Sequence, residues 1–145
     1  MVGPRGTSVK AALVLALLAG CFWRSYGRLA ATHVDVLLGT ARKGVDLVVN
    51  GRFTAESMPE LTYPLERARA FAEGAHARAG ATPPESLTAF DALLGRYQAL
   101  VDALDRVRRA ERPDAARHAL EPALAAVEAA GTAVQASLRR EGRIR

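Results

Sequence analysis

The spacing of apolar residues constrains this chain more than any other feature. From Leu29 onward they recur in steps of three and four, the repeat that places side chains along one side of an α-helix. Val34, Leu38, Ala41, Val45 and Val48 form a first stripe, on a helix expected over 29–50, and Leu61, Leu65, Ala68, Ala72 and Ala75 form a second. Leu87, Phe90, Leu94, Tyr97, Val101 and Leu104 make a third and largest; Leu120, Leu124, Val127, Gly131, Val134 and Leu138 make a fourth. No stretch alternates apolar and polar residues with the period of a strand. The expected fold is all-α: an antiparallel, up-down-up-down four-helix bundle after an N-terminal signal or anchor segment.

Local signals punctuate the stripes. Asn50-Gly51, Ala79-Gly80 and Gly142 are helix stops, since Gly and Asn tolerate the left-handed backbone that ends a helix. Ser57 with Glu60, or Thr62 ahead of Pro64, is the expected start of the second helix. Thr82, Pro83 and Glu85 read as the cap, first position and capping-box acid of the third. Pro113 and Asp114 open the fourth, with Pro122 inside it as an expected bend. The small residues of the second and fourth helices, set against the bulk of the first and third, allow close approach of the axes.

Ahead of the first stripe lies AALVLALLAGC, ten residues from Ala11 to Gly20 followed by Cys21, the one cysteine in the chain. Arg5 and Lys10 precede it without an acid, the layout of a secretory signal peptide. Counted through Phe22 and Trp23, the run reaches thirteen residues before Arg24, whereas a membrane-crossing helix needs about twenty. Its last four residues, Leu18-Ala19-Gly20-Cys21, resemble the lipobox of bacterial lipoproteins. The resemblance covers residues 1–21 and implies cleavage before Cys21, a diacylglycerol on its thiol and, in many bacteria, an acyl chain on its amine. Each buried methylene contributes about 0.8 kcal/mol, so several chains on one residue hold a protein at a membrane where one chain does not. With no second cysteine there is no intrachain disulfide, and Cys21 reads as a modification site.

The expected organisation is a signal peptide over 1–20, a lipidated cysteine and juxtamembrane tether over 21–30, the bundle over 31–142 and a basic tail over 143–145. In the tether, Trp23, Arg24 and Arg28 suit the headgroup layer, as do Arg139, Arg140, Arg143 and Arg145 at the C-terminus. In the proposed topology a second group, Arg106, Arg108, Arg109 and Arg112, falls at the opposite end, with guanidinium forks suited to a carboxylate- or phosphate-bearing partner. Asp102, Asp105, Glu111 and Asp114 are interspersed there and offer local pairing instead.

Charge and composition narrow the function. Residues 1–20 hold two of the 20 basic residues and none of the 15 acidic ones, leaving 18 against 15, a net +3. That is too mild for a nucleic-acid interface. His33, His76 and His118 form no helical pair with one another or with Cys21 at ligand spacing, and no metal or other cofactor is expected. No phosphate loop, nucleophile elbow or isolated acid pair suggests an enzyme. The expected function is a non-enzymatic, membrane-anchored envelope lipoprotein, an interaction, accessory or assembly subunit. It would face the periplasm in a two-membrane cell and contact lipid through acylated Cys21, together with an envelope protein or anionic polymer. The alternative is a sensory bundle that binds a ligand or metal, with a cavity near Tyr97, Pro122 and Gly131.

Overall fold

The computed structural model describes residues 5–110 and 113–145; the side chains of residues 5–8, 15, 18, 19 and 113 lie outside that description. The described chain is all-helical. Helix α1 spans Arg5–Val49, α2 Met58–Ala79, α3 Glu85–Arg109, α4 Pro113–Arg117 and α5 Leu120–Arg140, and a 3-10 turn at Ala55–Ser57 precedes α2. Helix α3 packs against α1, α2 and α5, and α1 also meets α2 and α5.

Every residue of the second and third expected stripes is buried, and the reason α3 is central lies in a further row. Leu93, Leu100, Ala103 and Val107 are buried beside Leu87, Phe90, Leu94, Tyr97, Val101 and Leu104, so α3 offers a broad apolar face to three neighbours. On α1 the stripe is rotated slightly from its expected line: Val34, Leu37, Ala41 and Val48 are buried, and Leu38 and Val45 pack at its edge. Leu38 fills the space above Gly131 of α5, where an added Cβ would lie 3.1 Å from Leu38 Cδ2.

The glycine stops behave as the sequence implies. Gly51, Gly80 and Gly142 carry positive φ of 67°, 67° and 68°. At Gly142 the Arg143 amide bonds the Leu138 carbonyl at 2.8 Å, and the Gly142 amide bonds that of Arg139 at 2.9 Å. This paired closure satisfies two terminal carbonyls and reverses the chain.

Four expectations are corrected. The segment read as a tether over 21–30 is helical, because α1 runs without a break from the apolar segment into the core. Of the two starts offered for α2, Thr62 fails and Ser57 holds: the helix begins at Met58 with Ser57 at its N-cap position, and Pro64 lies inside it. Helix α3 starts at Glu85, because Pro84 follows Pro83 and forces the preceding residue out of helical geometry, so Thr82 does not cap it. Pro122 breaks the expected fourth helix instead of bending it. It lies in the first turn of α5, where its missing N–H is no loss, while His118 and Ala119, just ahead of α5, form the turn between α4 and α5.

Candidate functional site

Within α1, just after Cys21, the chain builds a cluster of rings and cations. Cys21 is exposed. One turn on, Trp23 and Tyr26 meet edge-to-face with centroids 4.9 Å apart, and Tyr26 stacks on Phe71 of α2 at 5.8 Å. Phe22 is edge-on to Trp23 at 5.1 Å, with the Arg78 guanidinium 4.3 Å above its ring. The rings thus join the helices instead of lying loose at a membrane surface. Arg24 and Arg28 remain exposed.

The C-terminus closes over the same place. The turn at Gly142 delivers Arg143 onto α1, its guanidinium 5.1 Å from the Trp23 ring and 5.0 Å from that of Tyr26. Gly27 admits the approach: a Cβ there would collide with the Arg143 carbonyl and stand 2.7 Å from the Arg143 Cβ. Arg143 is therefore packed instead of forming a free tail. Arg140 is paired with Glu85 at 2.8 Å, Arg139 Nε reaches the Arg145 carbonyl at 3.5 Å, and Arg139, Arg140 and Arg145 are exposed.

Beneath Arg143 lies a polar chain that the stripes do not reveal. Tyr26 Oη lies 2.9 Å from Ser86 Oγ, and Ser86 donates through Oγ at 2.7 Å and through its backbone amide at 3.3 Å to Glu141 Oε1. Glu141 thus supplies from another helix the N-terminal cap that α3 lacks in its own sequence. The other Glu141 oxygen faces Arg143 Nε at 3.6 Å. Burial raises the Tyr26 pKa, against the Ser86 bond. One sequence signal could have exposed Glu141: an acid at a helix C-terminus opposes the dipole and calls for a partner.

At the opposite end, Arg108 bonds Asp105 through two nitrogens at 3.0 and 2.8 Å, and Arg109 reaches its other oxygen at 3.1 Å. Those bonds, Arg108 foremost, hold the Asp105 carboxyl below its usual pKa. Arg106 is exposed. Arg108 also lines a cavity of about 250 Å3 with Val48, Phe53 and Arg117. Arg112, and the side chains of Leu18 and Ala19 from the cleavage motif, lie outside the described residues; Gly20 is exposed.

The concavities lie elsewhere than expected. Gly131 is closed by Leu38, Pro122 is exposed, and Tyr97 is fully buried. A groove of about 530 Å3 instead opens between α1 and the start of α2, lined by Thr40, Leu47, Pro59, Leu61, Tyr63 and Pro64, with Lys43 and Glu60 paired at 3.0 Å beside it. Under its floor Tyr97 Oη donates to the Leu61 carbonyl at 2.8 Å and lies 2.9 Å from Thr40 Oγ1. Tyr63 and Pro64 continue into a second pocket of about 350 Å3 with Leu29, His33, Val36 and Arg67. His33 lies 4.9 Å from the Phe71 ring; burial, and then Arg67, lower its pKa. His76 bonds Asp91 at 2.6 Å, and no group of three or more potential metal ligands occurs among the described residues. Comparison of the chain with protein-family models, with curated proteins and with solved structures finds no match.

Proposed function

We propose that this chain is an envelope lipoprotein, processed before Cys21 and acylated there, whose helical domain acts without catalysis as an interaction or assembly subunit at the membrane surface. The observation that carries the reading is the position of Cys21. It is exposed at the junction between an unpacked apolar segment, with Leu13 and Leu17 at 59% and 69% exposure, and the ring cluster that begins at Phe22. Among the described residues, cleavage at that junction removes none that the core uses. The described helices include none long and apolar enough to cross a membrane.

In this reading α1, α2, α3 and α5 alternate in direction as an up-down-up-down bundle, with α4 as a link. The contacts of Arg143 with Trp23 at one end, and the cavity shared by Val48 and Arg108 at the other, support it. Arg24, Arg28, Arg139 and Arg145 then face anionic headgroups, each adding about 1 kcal/mol. Arg106, exposed at the other end, then meets an envelope protein or anionic polymer.

The test is expression in a bacterium fed an alkyne-bearing fatty acid. The wild-type chain is expected to take label, fractionate with membranes and begin at a modified Cys21 by mass spectrometry; Cys21→Ala is expected to lose all three. Label that persists in Cys21→Ala would end the reading. A second reading, a ligand-binding module, is favoured by the groove between α1 and α2, whose volume falls in the range of small-molecule sites.

A further inference from the structure

The groove between α1 and α2 is chemically lopsided, and that asymmetry identifies an occupant. At its far end the one charged pair, Lys43 with Glu60, is already matched at 3.0 Å. At the near end Arg67 has no carboxylate within ion-pair distance among the described residues. Among the described residues its one side-chain bond is from Nη1 to Tyr63 Oη, at 3.0 Å. Because that oxygen is the acceptor, the Tyr63 hydroxyl keeps its own proton to donate. A guanidinium and a hydroxyl therefore stand together beside an apolar channel, with Tyr63 itself 58% exposed. Charge-assisted bonds from such donors select carboxylate or phosphate oxygens.

The channel sets the rest of the molecule. The two pockets, about 530 and about 350 Å3, meet at Tyr63 and Pro64 and follow α1 from Leu29 to Leu47, a length of about 27 Å at 1.5 Å per residue. That is long, and its lining between Arg67 and the paired Lys43 and Glu60 is chiefly apolar. If Cys21 is acylated, Leu47 stands about 39 Å along α1 from it, too far for this part of the groove to be filled by lipid still seated in that bilayer.

We propose that the groove binds a single-chain amphiphile with an anionic head, its alkyl chain along Leu47, Leu61 and Pro64 and its carboxylate or phosphate at Arg67 and Tyr63. The inference rests on the ligand-binding reading of the groove and is independent of acylation at Cys21.

The test uses the full chain in bilayer discs of neutral phospholipid, irradiated with a diazirine-bearing palmitate or with the corresponding neutral alcohol, followed by peptide mapping. Palmitate is expected to label residues 29–67 at least fivefold more than the alcohol. Arg67→Gln should reduce the acid to the level of the alcohol, and Arg67→Lys should retain part of the preference. Leu47→Trp, which fills the groove, should cut labelling by either probe about tenfold with an unchanged helical spectrum. Competition by unlabelled palmitate or by lysophosphatidic acid identifies the head as carboxylate or phosphate; competition by neither overturns the proposal. Equal labelling of the groove by acid and alcohol also overturns it while leaving a binding groove in place. Labelling spread over the exposed surface, or confined to the N-terminal apolar run, removes both.

Discussion

Gly27 sits in the middle of a helix, where glycine costs roughly 1 kcal/mol relative to alanine, and the backbone of Arg143 occupies the space a side chain would need. Gly27→Ala is therefore expected to lower stability by about 1–3 kcal/mol instead of raising it, read from the denaturation midpoint. Detachment of Arg143 should also change Trp23 fluorescence. Two titrations follow from burial. Tyr97 and Tyr26 have pKa values raised above 10 in the fold. The unfolded chain gives up those protons first, so stability is complete below about pH 10 and falls as pH rises above it. Tyr97→Phe should flatten that fall, at a cost of about 1 kcal/mol near neutrality from the lost bonds to the Leu61 carbonyl and Thr40. His33 shifts the other way. Its folded pKa lies below 6.5, so the unfolded chain takes up the proton first and stability declines as pH drops through that region. His33→Gln should remove part of the difference between midpoints measured at pH 7 and pH 5.

Among the helices, α2 and α3 show how far periodicity reaches. Their stripes are read correctly residue by residue because a three-four repeat reports directly on a buried face. The glycine stops are legible for a similar reason, since left-handed backbone is a local property of one residue. Misreadings fall where a neighbour decides. Thr82 looks like a cap until Pro84 restricts Pro83, and the N-terminus of α3 is closed instead by Glu141, 55 residues from Ser86 and invisible to any local pattern. Trp23 resembles a headgroup ligand because it stands beside basic residues in the sequence, yet Tyr26 and Arg143 pack against its ring. Pro122 was visible, but the choice between bending a helix and dividing it depends on what the preceding turn can pack against. Pro122→Ala should let α4 join α5 through His118 and Ala119. The expected gain in helicity is a few residues by circular dichroism, with slower amide exchange there and a stability change within about 1 kcal/mol.

For the molecule as a unit, the unbroken course of α1 matters most. If Cys21 is acylated, no flexible linker separates the lipid from the core, since Tyr26, five residues on, is fully buried. The far turn at Asn50 would then stand about 43 Å along α1 from Cys21. The domain would hold a fixed standoff instead of exploring a range of heights. Energy transfer from a dye at Arg52 to an acceptor in the bilayer should report one narrow distance, and a Gly-Ser insertion between Phe22 and Trp23 should broaden it. Unchanged breadth would contradict rigid mounting. The groove was not legible as a site, because Pro59, Tyr63 and Pro64 belong to no stripe and acquire meaning only when α1 lies beside them.

The seating of Arg143 on Gly27 has a practical corollary for anyone handling this protein. It brings Arg145 close to the Cys21 region of α1, so an affinity tag or fluorescent fusion appended after Arg145 would pry at the Glu141 cap and, if Cys21 is acylated, would be wedged between domain and bilayer. The loop at Gly51 to Thr54, exposed apart from Phe53 and at the other end of α1, is the place where an inserted epitope would leave both undisturbed.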